Sequence, residues 1–201
     1  MKVITCPEEH ERQPNDIFCF LAGGVTNCWE WREEVIAELM DLTSGCSNKQ
    51  ELILFNPKRA DFKPENFKPE DSEKQILWEF KYLNDMDIFS MYFCNSPSLQ
   101  PICMYELGRY LEVMKQKSKY YSKYFDKENI FNRIVISVEP GYSRSLDVIS
   151  QTNLALDDET MKNDVYDFPR ICFVTTSPRR HAEEIFECYQ YLCNIGWRDV
   201  G

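Results

Sequence analysis

The sequence predicts an open, doubly wound α/β fold. Three observations lead there. Short apolar runs of four to six residues recur along the chain. Stretches of helical period separate them, the alternation that builds a parallel sheet with helices on its faces. Turn residues close the runs: Gly23-Gly24 after IFCFLA, Asn56-Pro57 after LILF, and Glu139-Pro140-Gly141 after IVISV.

The first run is Ile17 to Ala22, and Asn27 with Glu30 three residues on marks a helix start after it. Val35, Ile36, Leu39 and Met40 form that helix's core face. The second run is Leu52 to Phe55. A polar loop, KRADFKPENFKPED, leads to Ser72 and Gln75, spaced as a capping box for a helix with the stripe Ile76, Phe80 and Leu83. The third run, Ile88 to Phe93, precedes the loop NSPSLQ and a helix that begins at Pro101, where proline suits the first turn. The fourth run is Ile134 to Val138, followed by a short helix over 146–154. Residues 155–169 read as a loop. The fifth run, 171–175, leads to Ser177-Pro178 and a last helix with Ile185, Phe186, Tyr189 and Leu192 inward. The expected sheet is five-stranded and parallel, in flavodoxin-like order 2-1-3-4-5, with helices on both faces. The whole chain, 1–201, reads as one domain, with 1–16 a polar N-terminal extension. In such sheets ligands bind beyond the carboxyl ends of the strands, where strand order reverses. That rule gathers the loops 23–28, 56–62 and 94–103.

Composition narrows the function classes. Hydrophobic residues make up 43% of 201, enough for a core. The net charge of −10 argues against nucleic acid or an anionic membrane as partner, since both recruit excess Lys and Arg. Nine cysteines occur without a CxxC pair, which disfavours zinc ribbons and fits a reducing, cytoplasmic setting. No stretch nears ~18 consecutive apolar residues. The N-terminus is too polar for a secretory signal. His10 and His181 lack partner motifs, and no metal or organic cofactor is signalled. The segment KQKSKYYSKYFDK, 115–127, reads as a solvated helix end or subunit contact.

One placement stands out. Met104, Leu107, Leu111 and Met114 form an apolar helical face, and Glu106 stacks beside Cys103, Tyr110 and Val113 on the same helix. A carboxylate there loses hydration, which costs free energy unless something offsets it. Structurally, Glu106 would cap its helix or pair with Arg109. Chemically, a helix N-terminus would favour its ionised form while apolar neighbours restrict water.

FLAGG at 20–24 followed by Trp29, NPKRADF at 56–62, QILWEF at 75–80, YELG at 105–108 and EPGYSRSLDV at 139–148 stand in an order that resembles the nucleoside 2-deoxyribosyltransferase-like family. The resemblance covers residues 17 to 154. It implies an enzyme acting on the N-glycosidic bond of (deoxy)nucleosides without a cofactor. The Glu of the ELG motif, here Glu106, would attack the anomeric carbon and form a covalent glycosyl-enzyme, as carboxylates do in retaining glycosidases. A second base or water would resolve it. Glu79 matches a family acid that contacts the base and would recognise or protonate it. Gly23 and Gly24 would allow close backbone approach to the ligand. Asn56, Arg59, Asp61, Asp87 and Gln100 are further binding candidates. The family also implies a homo-oligomer. Two positions depart from it: Gln100 stands where classical transferases hold the sugar with an acid, and Cys19 where they carry a tyrosine, for which Phe20, Tyr92 or Tyr105 would substitute. Alternatives are a 5′-monophosphate N-hydrolase, with Lys58, Arg59 or Arg144 on the phosphate, and a non-catalytic nucleotide sensor.

Overall fold

A computed structural model describes residues 1–59, 69–121, 133–156, 171–174 and 177–196. Within these, six parallel strands form one sheet: β1 (Lys2–Thr5), β2 (Asp16–Gly23), β3 (Glu51–Asn56), β4 (Ile88–Phe93), β5 (Ile134–Val138) and β6 (Ile171–Val174). Five helices join them: α1 (Trp31–Thr43), α2 (Pro69–Asp85), α3 (Pro101–Tyr121), α4 (Ser145–Leu156) and α5 (Pro178–Asn194). The strand order is β1-β3-β2-β4-β5-β6. Setting β1 aside, this is the expected 2-1-3-4-5 order. The N-terminal residues were expected to be a polar extension, yet Lys2–Thr5 pairs with β3 from Lys2↔Ile53 to Thr5↔Asn56. The run KVIT is too short and too close to charged neighbours to signal a strand. Its burial of Ile4 and the open edge of β3 provide what the local sequence lacks.

Strand alternation divides the core. Phe18, Phe20 and Ala22 point to the α2–α4 face, where they meet Phe55, Trp78, Tyr82 and Leu107. Ile17, Cys19 and Leu21 point to the opposite face with Trp31, Val35, Leu39, Ile185 and Leu192 from α1 and α5. Burial on both faces explains why the strands read as unbroken apolar runs. His181 of α5 is fully buried and sits between Ser90 Oγ (2.8 Å) and Ser137 Oγ (2.6 Å), so it ties its helix to β4 and β5.

Several helix expectations change. α1 begins at Trp31, because Asn27 takes a left-handed φ of 58° and stays in the preceding loop. Its core face is Trp31, Arg32, Val35 and Leu39, with Met40 exposed. On α2 the buried residues are Trp78, Tyr82 and Leu83, while Ile76, Leu77 and Phe80 face outward. Phe55 stacks on Tyr82 at 3.9 Å and meets Trp78 edge-on, an aromatic cluster that outweighs the aliphatic stripe in setting the helix's rotation. α2 starts at Pro69, so Ser72 and Gln75 do not form a capping box; Gln75 Nε2 instead donates to Pro57 O and Glu79 Oε1. The start of α5 is as expected, with Ser177 Oγ accepting from Arg180 N and proline at the first position. Most of the loop 155–169 and the end of the basic segment lie outside the described residues.

Candidate active site

A cavity of about 410 Å³ opens at the carboxyl ends of β2 and β4, beside the order reversal. Phe20, Ala22, Gly23 and Gly24 form one wall and Pro57 adjoins it. Gln75 and Glu79 come from α2. Ser98, Gln100, Cys103 and Glu106 come from the loop before α3 and its first two turns. The fold thus brings the two candidate carboxylates and the glycine turn to one place.

The glycine turn is sterically required. Gly23 has φ of 143°, and a Cβ there would lie 2.3 Å from Tyr92 O. A Cβ on Gly24 would lie 2.3 Å from Cys28 Sγ and 2.6 Å from Gln100 Oε1. Only hydrogen atoms fit between this turn and its neighbours. Gln100 has φ of 49°, a strained value for a non-glycine residue. Its amide is oriented by Nε2–H donation to Cys94 O at 2.7 Å. Its Oε1 is buried with no partner among the described residues.

Electrostatics distinguish the two carboxylates from the surface acids. Glu106 is pushed up to about 7 by burial first, then by the neighbouring Glu79, with Arg32 opposing. The positive end of α3 does not keep it a strong carboxylate, because desolvation outweighs the dipole. Glu79 is raised too, by burial, against the Gln75 hydrogen bond and Arg32. No hydrogen bond or ion pair from a described residue reaches the Glu106 carboxylate. Arg109, its possible structural partner, lies over the Phe80 and Tyr110 rings at 4.8 and 5.3 Å instead.

The remaining candidates separate. Asn56 turns its Oδ1 to Lys58 N at 3.0 Å, and neither Asn56 nor Arg59 lines the cavity. Asp61 lies outside the described residues. Asp87 is at the amino end of β4, away from the cavity. There its Oδ2 accepts from Arg12 Nη1 at 2.7 Å and from Phe18 N at 2.9 Å. Of the tyrosine substitutes, Phe20 lines the cavity; Cys19 and Tyr92 belong to the opposite face, and Tyr105 is exposed. Trp31 and Trp78 are core residues, whereas Trp29 donates to Glu139 Oε2 at 3.2 Å. Glu139 also accepts from Tyr92 Oη at 3.2 Å and from Asn95 N, so it ties together the loops around the cavity mouth.

Sequence reasoning missed Arg32, Gln75 and Cys28. Arg32 is buried behind the glycine turn and donates to Leu21 O, Gly24 O and Gly23 O at 3.1, 2.9 and 2.8 Å. An arginine in the first turn of an amphipathic helix ordinarily reads as solvated, and no local pattern marks this one. Cys28 borders Gly24 and approaches Ser96 Oγ at 3.5 Å; its thiol is pulled down to about 6, chiefly by the Cys94 thiol. Among the described residues, no group of three or more His, Cys, Asp or Glu side chains could hold a metal, and no helix is long and apolar enough to cross a membrane.

No individually curated protein matches the chain. The sequence profile of the family described as nucleoside 2-deoxyribosyltransferase like matches residues 17–121, just over half of the chain and the part that carries the glycine turn, Glu79 and Glu106. By this match and by the fold that carries it, the chain belongs to the nucleoside 2-deoxyribosyltransferase-like family.

Proposed function

We propose that the protein cleaves or exchanges the N-glycosidic bond of a (deoxy)nucleoside through a covalent glycosyl ester on Glu106. The observation that carries this reading is the pair of proton-hungry carboxylates facing one cavity, unmatched by any ion pair from a described residue. The reaction needs one carboxylate ionised and the other protonated, and burial raises the proton affinity of both Glu106 and Glu79. The ionised Glu106 adds to the anomeric carbon as the C–N bond breaks. The protonated Glu79 gives its proton to the departing base, whose nitrogen takes the bonding electron pair. A second base or water then attacks the same carbon, restores the Glu106 carboxylate and returns a proton to Glu79. Phe20 and Ala22 supply apolar cover for the intermediate.

An unphosphorylated substrate fits this site better than a 5′-monophosphate. Among the described residues, no Lys or Arg lines the cavity. Lys58 pairs with Glu30, and Arg144 with Asp147. A phosphate would add negative charge beside two carboxylates. Exposed Ile76, Leu77 and Phe80 on α2, with Ile102 and Tyr105 on α3, support a homo-oligomer, and Ile102 also lines the cavity. Size-exclusion chromatography with light scattering tests that assembly.

The decisive assay follows free base by chromatography from deoxynucleosides and their 5′-monophosphates, comparing the wild type with Glu106→Ala. Release from nucleosides that disappears in the variant supports the proposal. Equal release in both proteins overturns the role of Glu106. A nucleotide-dependent thermal shift without turnover favours the sensing alternative.

A further inference from the structure

A buried guanidinium is costly unless its charge is balanced. Arg32 is 3% exposed, and burial pulls it down to about 10. Its three hydrogen bonds all go to backbone carbonyls, and no described carboxylate sits at ion-pair distance. The carbonyls satisfy its N–H groups but carry no net charge. The guanidinium also lies over the Trp31 ring at 4.2 Å. Its other neighbours with ionisable groups are Cys28 of the glycine loop, Cys94 after β4, Cys103 of α3 and His181 of α5. His181 is held neutral, pushed down to about 3 by burial and then by Arg32 itself. Burial pushes the Cys103 thiol up to about 12. The acids that feel the charge across the cavity wall are Glu79 and Glu106.

We propose that Arg32 is a positioning residue for this site: it clamps the turn at Leu21–Gly24 and supplies the fixed positive charge that holds one of the two facing carboxylates ionised. One cation opposite two carboxylates is neutral when the pair keeps a single proton, the state that provides one nucleophile and one acid. The clamp explains why the charge stays in place. A guanidinium fixed by three carbonyls cannot swing into the cavity to form a closed ion pair, which would neutralise the nucleophile. This inference deepens the proposed function and rests on Glu106 and Glu79 being the reacting pair.

The test needs no substrate, so it fails or succeeds separately from the assay for base release. Protein labelled with ¹³C at the glutamate carboxyl carbons is titrated by NMR, with the Glu106 signal identified by its loss in Glu106→Gln. In Arg32→Gln, which keeps donors for the turn but removes the charge, the Glu106 midpoint rises by about one pH unit. In Arg32→Lys it stays within a few tenths of a unit of wild type. A folded Arg32→Gln protein with an unmoved midpoint overturns the inference. Should Arg32→Gln not fold, the wild type still decides: the ¹⁵N shift of Arg32 Nε follows the Glu106 titration if the two charges are coupled, and independence of pH across that range overturns the inference.

Discussion

The two ends of the sheet treat buried charge in opposite ways. At the amino end several buried charges are paired. Arg12 bonds Asp87 and Asp85 and covers the Phe18 ring at 3.6 Å. Asp16 accepts from Gln13 N at 2.7 Å and sits 2.8 Å from His10 Nε2. Lys117 donates to Asn84 O and Met86 O at the end of α2. At the carboxyl end, Glu106 and Glu79 are half-buried without ion pairs, and Arg32 spends its donors on carbonyls. Matched charge at one end serves architecture: it locks the N-terminal segment across α2 and β2. Unmatched charge at the other end raises proton affinities, which is what acid–base and nucleophilic chemistry requires. Substitutions at the two ends should therefore separate activity from stability.

The largest expected effect is on turnover. Glu106→Gln lowers base release by about 10⁴-fold or more, since the nucleophile is removed while the shape is kept; chromatographic rates measure it. Glu79→Gln lowers it by about 10²–10⁴-fold for ordinary nucleosides. The same variant loses far less with a pyridinium nucleoside, whose base leaves neutral without a proton. An equal loss on both substrates would make Glu79 a binding residue only.

Stability effects come next and have the opposite distribution. Arg12→Ala removes the ion pair of Asp87, which is 1% exposed, and costs about 3 kcal/mol in chemical denaturation while kcat stays near wild type. Glu106→Gln goes the other way. The folded-state value of about 7 exceeds the ordinary 4.5, so the folded protein binds the extra proton between these values. Wild-type stability therefore falls as pH rises through 4.5 to 7, and the penalty is complete above that window. The variant escapes it, so it is more stable by about 2–3 kcal/mol at pH 8 and no different near pH 4. Denaturation curves at the two pH values measure the contrast.

The contrast also shows what the sequence makes legible. The central strands and their order are visible because a sheet buried on both faces needs continuous apolar runs, as at Ile88–Phe93 and Ile134–Val138. Glu106 is visible because its helical neighbours are apolar, and Glu79 through the motif around it. The rotation of α2 is not, since local period cannot weigh an aliphatic stripe against Tyr82 stacking on Phe55 and Trp78 meeting it edge-on. Asp87 reads as a site residue until Arg12, far away in sequence, takes its charge. Arg32 is hidden for the same reason: its partners are backbone carbonyls in a turn that side-chain patterns do not encode.

The account depends most on a bond between Glu106 and the sugar. Acid quenching during turnover of a deoxynucleoside, followed by intact-mass measurement and peptide mapping, tests it directly. The predicted result is a deoxyribosyl mass on the peptide containing Glu106, absent in Glu106→Gln. Turnover with no adduct, or an adduct on another residue, would contradict it.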